Sequence, residues 1–118
     1  MDKKNNRIAV ASSDGIVVNS HFGRAATFYI YEEKEEQIKC IEKREVEPVC
    51  NGGNHSETKL TDTLDRLSDC NYLLVSRIGA GAETLARNYG MNVYEIPGMI
   101  EESIRQMINY EKAKALFS

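Results

Sequence analysis

Two short apolar runs restrict what this chain can fold into more than any other feature. They are "RIAVAS" (Arg7 to Ser12) and "NYLLVS" (Asn71 to Ser76). Neither alternates apolar with polar residues, as a half-exposed strand would, so each reads as a strand buried on both faces. Three helical stripes are available to cover such strands. Leu60, Leu64 and Leu67 fall on one helical face, and Ala82, Leu85, Ala86 and Tyr89 fall on a second. Ile100, Ile104, Met107 and Ile108 form a third. Asn54 with Glu57 three residues later reads as a capping pair for the first helix, and Gly90 as the stop of the second. "MNVYEI" (Met91 to Ile96) reads as a strand that ends at Pro97-Gly98.

The segment between the two runs has a different pattern. After "IVV" and a loop, "TFYIYEE" (Thr27 to Glu33) is aromatic and β-branched, and "QIKCIEKREVE" (Gln37 to Glu47) alternates with many charges. The "EKEE" between them reads as a hairpin turn, which makes the later strand a solvated sheet edge. The predicted order is β-β-β-α-β-α-β-α. The last two strands, joined by helical crossovers, are expected to be parallel. The most economical sheet has the first strand at its centre, the meander on one side and the parallel strands on the other. The expected fold class is therefore α/β: a three-layer, ribonuclease-H-like mixed five-stranded sheet. No linker, repeat or low-complexity tract interrupts residues 1–118, so a single domain is expected.

With 42% apolar and 28% charged residues, the chain has the profile of a globular domain. The net charge of −3 gives no reason to expect nucleic acid, so any anion site must rest on local cations. The N-terminal apolar run is too short for a signal peptide and no segment approaches a membrane span, which makes cytoplasm the expected location. Cys40, Cys50 and Cys70 are odd in number and lack a C-x-x-C pair, so free thiols are expected rather than disulfides or a zinc knuckle. They also fall one short of an all-cysteine cluster site. Cys40 and Cys70 read as small buried hydrophobes.

The crevice of such a sheet lies beyond the C-terminal ends of its central strands, where chain direction diverges. "SDGIVVNSHFGRA" and "RIGAGA" leave those ends and should be neighbours. They bring together His21, Arg24 and Arg77, with Gly79 and Gly81 at a helix start whose free N–H groups favour an anion. Each piece also has a plainer reading. His21 could be an ordinary surface group, the arginines could pair with nearby carboxylates, and "GAGA" could be a tight turn that needs positive φ. Phe22 reads as a core anchor for its loop. Cys50 and His55 lie in "VCNGGNHSE", where residues 48 to 55 read either as a lid that sets Cys50 opposite His21 or as a plain connection. A soft thiolate and an imidazole on convergent loops suit an iron–sulfur ligand set, which makes His21 and Cys50 the candidate metal ligands.

"IAVASSDGIVVNSHFGRAATFYIYE" resembles the opening of the NifX/NifB-C-terminal/NafY family, the dinitrogenase iron-molybdenum cofactor biosynthesis domain. The match runs through Asp14-Gly15 and then Val18, His21, Phe22, Gly23 and Ala25. "LSDCNYLLVSRIGAGAETLARNYGMNVYEIPGMIEESI" is similar to the family's second half, and "EPVCNGGN" looks most like the version attached to the NifB maturase. The resemblance implies a ribonuclease-H-like fold that binds an iron–sulfur cofactor of iron-molybdenum type, or its precursor, as transient cargo. It implies His21 as a cofactor contact and cofactor-synthesis or acceptor proteins as partners. No nucleic acid, no membrane and no enzymatic turnover are expected, and the state expected is a monomer or weak homo-oligomer.

Other chemistries find little support. Neither buried run carries a carboxylate for two-metal nuclease work. The position six residues after Cys50, where a thiol phosphatase needs arginine, is Ser56. Walker and dinucleotide glycine signatures are missing. The alternative function is a cofactor-free interaction or regulatory domain that binds a protein partner or a small anion.

Overall fold

A computed structural model describes residues 6–48 and 57–117. Strand β1 (Asn6–Ala11) is followed by a two-residue strand β2 (Val17–Val18) and then by the hairpin β3 (Thr27–Lys34) and β4 (Gln37–Glu45). After these come α1 (Glu57–Arg66), β5 (Tyr72–Val75), α2 (Ala80–Asn88), β6 (Asn92–Glu95), the short β7 (Gly98–Met99) and α3 (Ile100–Leu116). The main sheet has the order β4-β3-β1-β5-β6. β1 pairs antiparallel with β3 and parallel with β5, and β5 pairs parallel with β6. The predicted arrangement is thus the observed one, with β1 in the middle.

Burial explains why β1 takes that place. Ile8, Ala9, Val10 and Ala11 are all fully buried, and successive side chains go to opposite faces. Ala9 and Ala11 join Phe28, Ile30, Leu73, Val75 and Val93 in a core with Leu64 and Leu67 near α1 and Ala86 of α2. Ile8, Val10 and Leu74 pack with Ile100, Ile104 and Met107 of α3. Helices therefore cover both faces, giving three layers. At the end of α2, Gly90 sits at φ 90°, where a side chain would be strained, and its N–H donates to the Arg87 carbonyl.

The hairpin turn predicted at "EKEE" is tight. Glu35 and Glu36 take φ of 53° and 68°, the two-residue left-handed turn that matches strand twist, here without the usual glycine. Two features depart from expectation. β2 and β7 form a separate antiparallel ribbon, with Val17 opposite Met99 and Val18 opposite Gly98. Two-residue strands carry no readable periodicity, so only a pairing between residues far apart in sequence creates them. The second departure is Cys40, which lies exposed on the edge strand β4 rather than buried. Charged neighbours on that strand blunt its free edge, and no helix covers Cys40 there.

Cys70 is fully buried as expected, and burial, with the neighbouring Asp69 charge adding to it, pushes its thiol up to about 12. Asp69 itself ties the edge strand to the centre. Its carboxylate accepts from Arg44 Nη1 and Nη2, both at 2.8 Å, and from Arg7 Nη1 at 2.7 Å. These bonds, the one to Arg44 first, hold its carboxyl well below the usual range. A depressed carboxylate stabilises the fold above its unfolded pKa and loses that contribution as pH falls. Asp69→Asn should cost about 1 kcal/mol at pH 7, since the group is partly solvated. The gap from wild type in urea midpoint should hold down to about pH 5 and narrow below about pH 4. A gap that ignores pH would refute the ionic account.

Candidate functional site

β1, β4, β5 and β6 all run the same way, so Ala11, Glu45, Val75 and Glu95 end along one edge of the sheet. The loop leaving β1 begins with a locally braced turn. Ser12 Oγ accepts the Gly15 N–H at 2.9 Å, and Asp14 Oδ1 accepts those of Ile16 and Val17 at 2.8 and 3.2 Å. These backbone donors, Ile16 first, lower the Asp14 carboxyl below its ordinary value. Gly15 has φ 77° and faces the Tyr29 ring, which would stand 3.0 Å from any Cβ there. The acidic-glycine turn therefore has a conformational reason: any side chain at Gly15 would be strained by its φ and crowded by the Tyr29 ring, and Asp14 closes the turn.

The chain then meets the loop that follows β5. The Ser76 N–H donates to the Ser20 carbonyl at 3.1 Å, and the Phe22 N–H to the Arg77 carbonyl at 2.8 Å. His21 and Arg77 form a parallel bridge, so the two loops that the sequence marks as neighbours are hydrogen-bonded to each other. Phe22 is 1% exposed and packs against Phe28 with ring centroids 5.9 Å apart. His21, one residue earlier, is exposed. Arg24 ends the single 3₁₀ turn Phe22–Arg24 and is also exposed, as is Arg77.

None of the three cation-capable side chains has a partner among the described residues. Among the described residues the ion pairs are made elsewhere, by Arg7, Arg44, Arg87, Arg105 and several lysines. The plainer reading, in which Arg24 and Arg77 pair with neighbouring carboxylates, finds no such contact among those residues. The connection from β5 to α2 is short, but positive φ does not account for its glycines. Gly79 is the N-cap of α2 at φ −74°, and neither Gly79 nor Gly81 takes the left-handed conformation. A Cβ on either would meet nothing within 4 Å. Neither backbone strain nor packing demands glycine there, and the helix start carries no side-chain cap. Gly79, Ala80 and Gly81 are exposed and no side chain among the described residues caps their N–H groups, the condition for close approach of an anion.

Glu95 was not singled out from the sequence. From the end of β6 its Oε2 accepts the Ile78 N–H at 2.9 Å, within the turn that carries Arg77. Its proximity follows from the parallel register Val75 to Glu95, which strand order alone does not fix to the residue. Ser76 Oγ, at the same edge, is buried with no hydrogen-bond partner among the described residues. Cys50 and His55 lie outside the described residues, although β4 delivers its end at this edge through the Val46 N–H bond to the Ala26 carbonyl, 2.9 Å. Among the described residues no group of three or more His, Cys, Asp or Glu side chains is placed to hold a metal ion.

A mixed five-stranded sheet covered by helices, with the loop bearing His21 hydrogen-bonded to the one that leads into α2, defines a three-layer α/β fold. Residues 4–110 match the family described as dinitrogenase iron-molybdenum cofactor, and the chain belongs to that family. It is 34% identical over 103 residues to the FeMo cofactor biosynthesis protein NifB of Frankia alni, covering 85% of this chain and 20% of that protein. The NifB of Chlorobaculum tepidum is 32% identical over 111 residues, 92% of this chain and 25% of that one. The chain thus spans a fifth to a quarter of the length of these curated relatives. The crystal structure of PH0822 superposes with a TM-score of 0.67 at 25% identity, over 87% of this chain and 88% of that one. The Thermotoga protein TM1290 has a TM-score of 0.61 at 22% identity over 88% of each chain, which speaks to the fold alone. No helix among the described residues is long and apolar enough to cross a membrane.

The anchor and the candidate ligand are adjacent in sequence but separate energetically. Phe22→Ala should cost about 3–5 kcal/mol in urea unfolding. His21→Ala should stay within about 0.5 kcal/mol of wild type. A large loss on removing the imidazole would mark it as a packing group instead.

Proposed function

We propose that this chain binds an iron–sulfur cofactor of iron-molybdenum type, or its precursor, and hands it on without turning it over. The observation that carries the reading is that the loop bearing His21 and Arg24 is hydrogen-bonded to the one in which Arg77 leads into α2, with all three side chains exposed and without partners among the described residues. Such cofactors are anionic metal–sulfur clusters. Arginines and a helix N-terminus complement that charge, and an imidazole supplies one metal bond. One or two protein ligands suit a carrier better than a permanent housing, because each further bond would slow release. In this reading Gly79 and Gly81 let the cluster approach the backbone, and Cys50 adds a thiolate. The partners are the proteins that make the cofactor and those that accept it. Family membership and the NifB relatives support this assignment.

Anaerobic incubation with isolated iron-molybdenum cofactor, followed by desalting, should leave a dark charge-transfer absorbance on the protein. A colourless protein would leave the cofactor-free interaction module as the surviving reading. His21→Ala should retain at least several-fold less cluster than wild type. Uptake should also fall between about 0.05 and about 0.5 M salt, where the Debye length shrinks from roughly 14 to roughly 4 Å. In the doubly substituted Arg24→Gln, Arg77→Gln chain that slope should flatten; an unchanged slope would remove the arginines from the site.

The same samples test the thiol. Cys50 should react readily with iodoacetamide in the empty protein and be protected in the loaded one, with peptide mass analysis separating it from Cys40 and Cys70. Equal labelling in both states would eliminate Cys50 as a ligand.

A further inference from the structure

We infer that Glu95 is the positioning residue of this crevice, and that its charge sets how tightly an anion is held there. The inference rests on the anion-binding reading given above. Around Arg77 the backbone is held from two sides. The His21 loop takes the Ser76 N–H and supplies the Phe22 N–H to the Arg77 carbonyl. The next N–H, that of Ile78, is taken by Glu95 Oε2 at 2.9 Å. Ile78 is 9% exposed and packs in the core beneath α2, and Gly79 follows as the helix N-cap. A side chain on the neighbouring strand therefore fixes the residue between Arg77 and the helix start. A carboxylate acceptor makes this bond stronger than a neutral one would.

The carboxylate has two effects on an anion in the crevice, and they oppose each other. By holding the turn it keeps Arg77 and the bare N–H groups of Gly79 to Gly81 in place. By its own charge, on an exposed side chain at the same sheet edge, it repels the ligand those groups attract. A site built only to retain an anion would use a neutral acceptor here. Glutamate gives a turn that is firmly placed and an affinity that is held down, which suits a ligand that must leave.

Substitution separates the two effects. Glu95→Gln keeps an acceptor oxygen and removes the charge, whereas Glu95→Ala removes both. Amide hydrogen exchange by NMR reads the clamp: the Ile78 N–H should exchange at least tenfold faster in Glu95→Ala than in wild type, with Glu95→Gln between them. Sulfate, titrated at constant ionic strength against chloride and followed at the Gly79 and Gly81 amides, reads the charge. Glu95→Gln should bind it roughly three- to tenfold more tightly than wild type, the scale for one unit charge several ångströms away near a surface. That advantage should shrink as salt rises. Equal Ile78 exchange in wild type and Glu95→Ala would overturn the clamp, and equal sulfate affinity in wild type and Glu95→Gln would overturn the charge effect. If both behave as expected while no variant takes up iron-molybdenum cofactor, the cargo assignment fails and the role of Glu95 stands.

Discussion

Burial of β1 on both faces is the constraint from which the rest follows. A strand whose Ile8, Ala9, Val10 and Ala11 are all withdrawn from water cannot sit at an edge or face solvent on either side. It needs strand neighbours on both flanks and helices above and below. β3 and β5 supply the first, and α1, α2 and α3 the second. Once β1 is central and β5 runs parallel to it, their following loops must leave from the same edge. The meeting of those loops is thus a result of packing before it is a result of any functional residue.

The loops then turn proximity into a defined surface. Two backbone hydrogen bonds join the segment around His21 to that around Arg77, and Phe22 sinks one of the two into the core. Neighbouring residues divide the work: Phe22 supplies apolar area while His21 and Arg24 remain in water. The same division recurs at the helix start, where Ile78 is buried and Gly79 to Gly81 are open. Exposed polar groups are carried on anchors adjacent to them in the chain, so local order at this edge of the sheet draws on the stability of the whole core.

Strand order, helix stripes and the hairpin were legible in the sequence because each is written in a local period or a turn signal. Ile100, Ile104, Met107 and Ile108 repeat at helical spacing, and "RIAVAS" is apolar throughout. The meeting of the His21 and Arg77 loops was legible too, since it follows from topology. What escaped was written in register or exposure. The β2–β7 ribbon joins residues about eighty positions apart, and Glu95 reaches Ile78 only because β6 ends level with β5. The exposure of Cys40 escaped because the charges of β4 mark it as a sheet edge without telling how little cover its individual side chains receive.

Phe22 has a kinetic consequence. A ring that is 1% exposed cannot leave its place without opening the core beside Phe28, so the segment from Ser20 to Ala25 cannot fold aside to admit a ligand. The wall it forms has already lost its conformational entropy when the chain folds, and a ligand arriving there does not order it again. For the cargo proposed above, association with that wall would be a rigid-body encounter whose rate follows electrostatic attraction and diffusion, and escape would be governed by the bonds broken rather than by rearrangement of the segment.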